Sequence, residues 1–212
     1  MTAWARALTA VAAALLTAGC VATVEGTATR SVPGLDDDSR SPVDVDTVLL
    51  ETAQMQAITG AGEDLTIIPS MDGKIPVDIE SLMEQMPTPC RWLFAESQTF
   101  GDEVEEFHKT TFQNPPDGGL ISQGAAGYRD APTARRAFDG VVALVDGCDT
   151  TDYGPAYIGD WTSTGDAVST RPGDCGRDYR LKSAVLVEVT FCAFTESVPD
   201  IVMTNILANV PG

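Results

Sequence analysis

Five cysteines divide into one and four. Cys90, Cys148, Cys175 and Cys192 lie in the later, globular part of the chain, whereas Cys20 closes the run Leu15-Leu16-Thr17-Ala18-Gly19-Cys20. An even set of cysteines in an exported domain reads as a disulfide framework, and a cysteine left over needs its own chemistry. Any fold for this chain therefore has to bring four widely spaced sulfurs together in pairs.

The chain opens with a single basic residue, Arg6, and then an alanine-rich apolar stretch over residues 7–16 that ends in small residues. This is the layout of a secretory signal peptide, and it is too short to span a bilayer. Small residues directly before a cysteine suit a bacterial lipoprotein signal, in which the sulfur is acylated and Cys20 becomes the new N-terminus. The position three before the cysteine is Thr17, where such motifs favour Leu. An ordinary signal cut near Ala18 would leave Cys20 as a stray thiol; acylation gives it a role. The organisation expected is a signal over residues 1–19, a flexible acidic tether over residues 20–44, and one folded domain over residues 45–212. Pro33-Gly34, Asp36-Asp37-Asp38 and Ser41-Pro42 mark the tether. The three aspartates lack the spaced oxygen ligands and the glycine turn of a calcium loop.

Thirteen basic against 31 acidic residues leave a net charge of −18. Such a balance disfavours nucleic acid and offers no attraction to anionic headgroups, so attachment to the outer face of the cell membrane is expected through the acyl chains of Cys20.

In the folded part, Asp46 can cap a helix over residues 47–58 that stops at Gly60, with Leu50, Ala53, Ala57 and Gly60 on one face. Gly60-Ala61-Gly62 lacks the third glycine of a dinucleotide loop and the basic residue of a phosphate loop, so it is a helix exit. Residues 67–89, broken by Pro69, Gly73, Pro76 and Pro87, carry no assignable period; their Met71, Met83 and Met86 could line a pocket or fill a core edge. Residues 107–112 and 120–128 read as strands joined by Asn114-Pro115-Pro116-Asp117-Gly118-Gly119. After a cap at Asp130 or Thr133, Ala134, Phe138, Val141, Val145 and Cys148 recur at helical spacing on one side. A last helix, capped by Ser197 with Pro199 in its first turn, carries Val202, Ile206 and Val210 as its buried stripe.

Between these helices lies a hairpin. A two-residue turn at Ser183-Ala184 pairs Lys182 with Val185 and, at the far ends of the strands, Cys175 with Cys192. The two sulfurs then face each other at a separation a disulfide can span, unless a bulge shifts the register. On the second strand Val185, Val187, Val189 and Phe191 form one face, and Leu186, Glu188, Thr190 and Cys192 the other. Cys90 and Cys148 then remain for each other.

The order of pieces resembles the PknH-type extracellular sensor domain. The resemblance is carried by the export signal and tether, a Leu49-Leu50 helix and the step Pro87-Thr88-Pro89-Cys90-Arg91-Trp92. It continues through a strand leading into Asp130-Ala131-Pro132-Thr133-Ala134-Arg135-Arg136-Ala137-Phe138, a cysteine ending that helix, the cysteine hairpin and a last amphipathic helix. It implies a single α+β domain: a twisted antiparallel sheet flanked by helices, with disulfides Cys90 to Cys148 and Cys175 to Cys192 and a cleft for an unknown ligand. No kinase domain accompanies it here, so any sensing role needs a partner.

Catalytic signatures are sparse. The single histidine, His108, leaves no multi-histidine metal site and no His-Glu-x-x-His helix, and Gly-x-Ser-x-Gly is absent. Asp102, Glu103, Glu105 and Glu106 could include an acid and base for glycoside hydrolysis, but carboxylates this close are ordinarily a solvated turn. No cofactor or metal is expected. The expectation is a non-catalytic envelope lipoprotein that binds an envelope ligand in a cleft lined from Trp92, Phe94, Tyr128, Tyr153, Tyr157 and Trp161. The alternative is a scaffold that docks another envelope protein without a small ligand.

Overall fold

The structure, a computed structural model, describes residues 41–212. The expected signal, the acylated Cys20, the acidic run Asp36 to Asp38 and the tether as far as residue 40 lie outside the described residues.

Val43, within the expected tether, is buried in the core together with Val45, the first residue of the expected domain. Ser41 sits against Gly127, where an added Cβ would stand 2.5 Å from the Ser41 hydroxyl. The helix expected over residues 47–58 is likewise two pieces: a 3-10 turn, Val45–Thr47, capped by the Asp44 side chain rather than by Asp46, and an α-helix, α1, Thr52–Thr59. The break has a visible cause. The Gln123 side-chain amide accepts from the Leu50 N–H at 2.8 Å and donates to the Leu50 carbonyl at 2.7 Å, so both backbone groups are satisfied outside a helix. The stripe moves with it, since α1 buries Met55 and leaves Ala53 and Ala57 exposed. Gly60 does stop the helix, in the left-handed conformation at φ 70°.

Seven antiparallel strands form one sheet in the order β1-β2-β3-β7-β6-β5-β4. They are β1 Thr66–Gly73, β2 Glu106–Asn114, β3 Gly119–Gly127, β4 Asp160–Thr164, β5 Ala167–Arg171, β6 Cys175–Lys182 and β7 Val185–Cys192. β1 is an edge strand, which tolerates Pro69. Its ladder with β2 slips between Ile67 and Asp72, so residues 68–71 bulge out of register. β6 and β7 pair in the expected register, Lys182 with Val185 and Cys175 with Cys192, and Ser183 takes the positive φ of 54° in the turn.

Both faces of the sheet are covered. On one, residues 43–50, α1 and the last helix, α5 (Ser197–Asn209), pack against Phe112, Ile121, Ala125 and the odd-numbered residues Val185 to Phe191. Val202, Ile206 and Val210 are buried as expected, joined by Pro199 and Met203; Glu196, not Ser197, occupies the cap position. The other face carries a 3-10 segment, Thr88–Phe94, and α2 (Glu96–Phe100), α3 (Ala131–Asp149) and α4 (Gly154–Ile158). α3 starts at Asp130, whose carboxylate accepts from the Thr133 N–H at 2.8 Å, and buries Ala134, Phe138, Val141, Val145 and Cys148. The disulfides are Cys90 to Cys148, with Cα atoms 4.7 Å apart, and Cys175 to Cys192, at 4.0 Å. Among the described residues no helix is long and apolar enough to cross a membrane.

Candidate functional site

On the face covered by α3, the sheet presents its side chains in rows that can be read from the register. Phe107, Ala126 and Leu186 make an apolar row. The next row runs Lys109, Gly124, Glu188, Tyr179, and the one after it Thr111, Ser122, Thr190, Arg177. Two polar rows thus lie in the middle of a sheet whose surroundings are apolar. Gly124 is what connects the first: with no side chain on β3, Lys109 on β2 reaches Glu188 on β7 across the intervening strand. A Cβ there would stand 3.4 Å from the Lys109 side chain and 3.6 Å from the Glu188 carboxylate.

These rows floor a cleft of about 410 Å³, within the usual range of small-molecule sites. One wall is the end of the 3-10 segment with the start of α2: Trp92, Leu93, Phe94, Glu96 and Thr99. The end of β1, with Ser70 and Met71 of the bulge and the paired Asp72 and Gly73, supplies the opposite wall. Ile75, Val77 and Ile79 rim the opening, where residues 77–79 pair with residues 94–96 through Ile79 N–H to Phe94 O at 2.8 Å and Glu96 N–H to Val77 O at 3.2 Å. Large apolar side chains are exposed here: Met71, Ile75, Val77 and Ile79 are 51, 76, 57 and 43% accessible.

Electrostatics hold the floor together. Glu188, 1% exposed, receives Lys109 Nζ at 2.7 Å and the Tyr179 hydroxyl at 2.9 Å, with Arg177 Nη1 at 3.6 Å. Lys109 also meets Glu96 at 3.0 Å, and Arg177 Nη2 donates to the Leu93 carbonyl at 2.9 Å. Burial by itself pushes the Glu188 carboxyl up; the ammonium of Lys109 and then the guanidinium of Arg177 outweigh it and hold the group below its ordinary value. Burial drives Tyr179 well above its ordinary range, and the Glu188 charge adds to that, so the phenol stays protonated and donates.

Of the six aromatics expected to line a cleft, Trp92 and Phe94 do so. Tyr128 is enclosed in the core, its hydroxyl donating to the Phe100 carbonyl at 2.7 Å. Tyr153 is exposed on the surface, Tyr157 packs against the α3 side of the core, and Trp161 donates Nε1–H to Asp149 at 3.1 Å. Met71 is part of the wall and Met86 is core. The acidic cluster is dispersed in its contacts: Glu103 pairs with Arg136 at 2.9 Å, Glu105 with Arg129 at 3.5 Å, and Glu106 accepts from the Val45 N–H at 3.2 Å. His108 lies on the opposite sheet face between two carboxylates, Nδ1 at 2.8 Å from Asp46 and Nε2 at 3.1 Å from Asp72. Lys109, Arg177, Glu188 and Glu96 are not among the site residues expected from the sequence; charges inside strands covered on both faces are the signal that finds the first three, while Glu96 opens α2.

A family model described as the PknH-like extracellular domain matches residues 40–208. The chain belongs to this PknH-like extracellular domain family. Membership places the domain type outside the cytoplasm. A solved structure of the extracellular domain of PknH from Mycobacterium tuberculosis has the same fold, with a TM-score of 0.55 at 12% identity over 80% of this chain and 97% of that one. No curated protein matches the chain. The family's fold, a helix-flanked antiparallel sheet with two disulfides, is the one seen here, and its sensor-type extracellular domains carry no known catalytic role.

Proposed function

We propose that this chain is a non-catalytic envelope lipoprotein, anchored through acylated Cys20, whose domain holds a small amphipathic envelope molecule in the cleft over β2, β3, β7 and β6. The observation that carries this reading is the cleft's combination of exposed apolar walls with a floor of charged groups withdrawn from water. Charged side chains in a sheet interior cost stability against apolar ones of the same size, so their presence is accounted for by a task other than folding. The separate ties of Glu103, Glu105 and Glu106 weigh against a catalytic carboxylate pair.

Native mass spectrometry tests it. The protein purified from its own envelope is expected to carry a reproducible extra mass that material refolded without envelope extract lacks. A bare mass in both samples would favour docking of another envelope protein on the exposed Ile75, Val77, Ile79 and Leu82 instead.

A further inference from the structure

At the floor of the cleft the carboxylates are ion-paired, while two donors keep unused capacity. Both oxygens of Glu188 face donors: Oε2 is ion-paired with Lys109 at 2.7 Å, outside hydrogen-bond geometry, and Oε1 accepts from Tyr179 at 2.9 Å. Those of Glu96 do too, Oε1 meeting Lys109 at 3.0 Å and Oε2 the Val77 N–H at 2.9 Å. Arg177 differs. Its guanidinium donates to the Leu93 carbonyl at 2.9 Å and meets the Tyr179 hydroxyl, and the Glu188 oxygen nearest to it stands beyond hydrogen-bond range at 3.6 Å. A guanidinium has five N–H donors, so most of its fork is unspent, and the side chain keeps 25% exposure toward the cleft it lines. A second donor waits nearby: Trp92, 1% exposed and lining the same cleft, holds its indole N–H with no acceptor. Buried donors without partners are uncommon, and here they belong to a site open to a ligand.

A donor surplus calls for an acceptor-rich group. We infer that the cleft takes a slender amphiphile with a carboxylate head, the head seated on Arg177 and the tail running toward Met71 and Ile75. This rests on the cleft being a binding site, as proposed above. A carboxylate matches the guanidinium fork with two parallel hydrogen bonds. Charge disfavours a second negative unit on the head: Lys109 and Arg177 are already balanced by Glu188 and Glu96, and Asp72 also lines the cleft, so a doubly charged phosphate would face three carboxylates. The tail has a path, because Arg177 is on β6 and Met71 on β1, four strand spacings away, on the order of 19 Å.

Isothermal titration calorimetry of the full-length chain with decanoate, decanol and decyl phosphate, all as monomers, tests this directly. Decanoate is expected to bind at least about tenfold more tightly than decanol, the worth of a charge-assisted hydrogen bond, and more tightly than decyl phosphate. Arg177→Gln is expected to abolish the advantage of decanoate over decanol, and the headgroup comparison on the unaltered chain stands even if that variant fails to fold. Equal binding of decanoate and decanol would overturn the carboxylate class and leave the cleft reading standing, as would a preference for the phosphate. Absence of heat with all three probes would overturn the carboxylate class; joined to a bare native mass, it would overturn both readings.

Discussion

Glu188 sits in the middle of a covered sheet, and its neighbours explain why it is tolerated there. Lys109, Arg177 and Tyr179 surround the carboxylate, so removing it leaves Lys109 with Glu96 alone and Arg177 without a carboxylate. Glu188→Ala is expected to cost about 3–5 kcal/mol, read as a lowered urea midpoint by circular dichroism, and Glu188→Gln less, because the amide still accepts from Tyr179. An unchanged midpoint for Glu188→Ala would mean the floor is not held by this charge. The sign with pH follows from the lowered carboxyl: the contribution of Glu188 is present above its unfolded value of 4.5 and is lost as pH falls through the lower folded value. Asp178, on the opposite sheet face, runs the other way. Burial raises it despite Arg171 at 2.9 Å, so its contribution declines as pH rises past 3.8. Read along the sequence, Glu188 is only a polar residue alternating with valines. Its importance comes from Gly124 on β3 and Lys109 on β2, far earlier in the chain, which no local period connects to it.

At the level of elements, legibility followed locality. α3 declared its apolar stripe, and narrowed its cap to Asp130 or Thr133, because a long amphipathic helix repeats its signal over several turns. The β6–β7 register was readable because a short turn fixes it and two cysteines check it. The helix expected over residues 47–58 was not, since what interrupts it is the distant amide of Gln123. β1 gave no period because its bulge disrupts alternation where prolines and glycine already obscure it. Of the cleft aromatics, Trp92 and Phe94 lie next to the cysteine step that the fold builds around, whereas Tyr153 and Tyr157 belong to a segment at the far end of α3. The end of β1 is pinned by His108 and Thr110, which hold the Asp72 carboxyl below its ordinary value, while Lys74 and His108 do so for Asp46. Both groups therefore stabilise the fold above about pH 3.8 and cease to as pH falls through their lower folded values. Acid unfolding followed by fluorescence is expected to begin at higher pH in His108→Gln; coincident curves would show that this pin carries no stability.

For the molecule as a whole, the two disulfides divide the labour. Cys175 to Cys192 closes a hairpin that already pairs along its full length, with a sequence separation of 17, whereas Cys90 to Cys148 spans 58 residues and joins the cleft-lining 3-10 segment to the core helix α3. Chain-entropy reasoning assigns the long closure up to about 4 kcal/mol and the short one about 3 kcal/mol. Replacing Cys90 and Cys148 together by Ser is expected to lower the urea midpoint and to speed amide hydrogen exchange in residues 88–94 well before it does so in β6 and β7. Uniform exchange across both regions would contradict this. The placement of the long bridge also makes the cleft a jaw with unequal members. The side formed by Trp92 to Phe94 is riveted to α3, while the side facing it is the sheet's own edge, leaving its ladder between Ile67 and Asp72. On the proposed binding role, widening to admit a ligand is expected at that edge rather than at the riveted side, which would make entry one-sided.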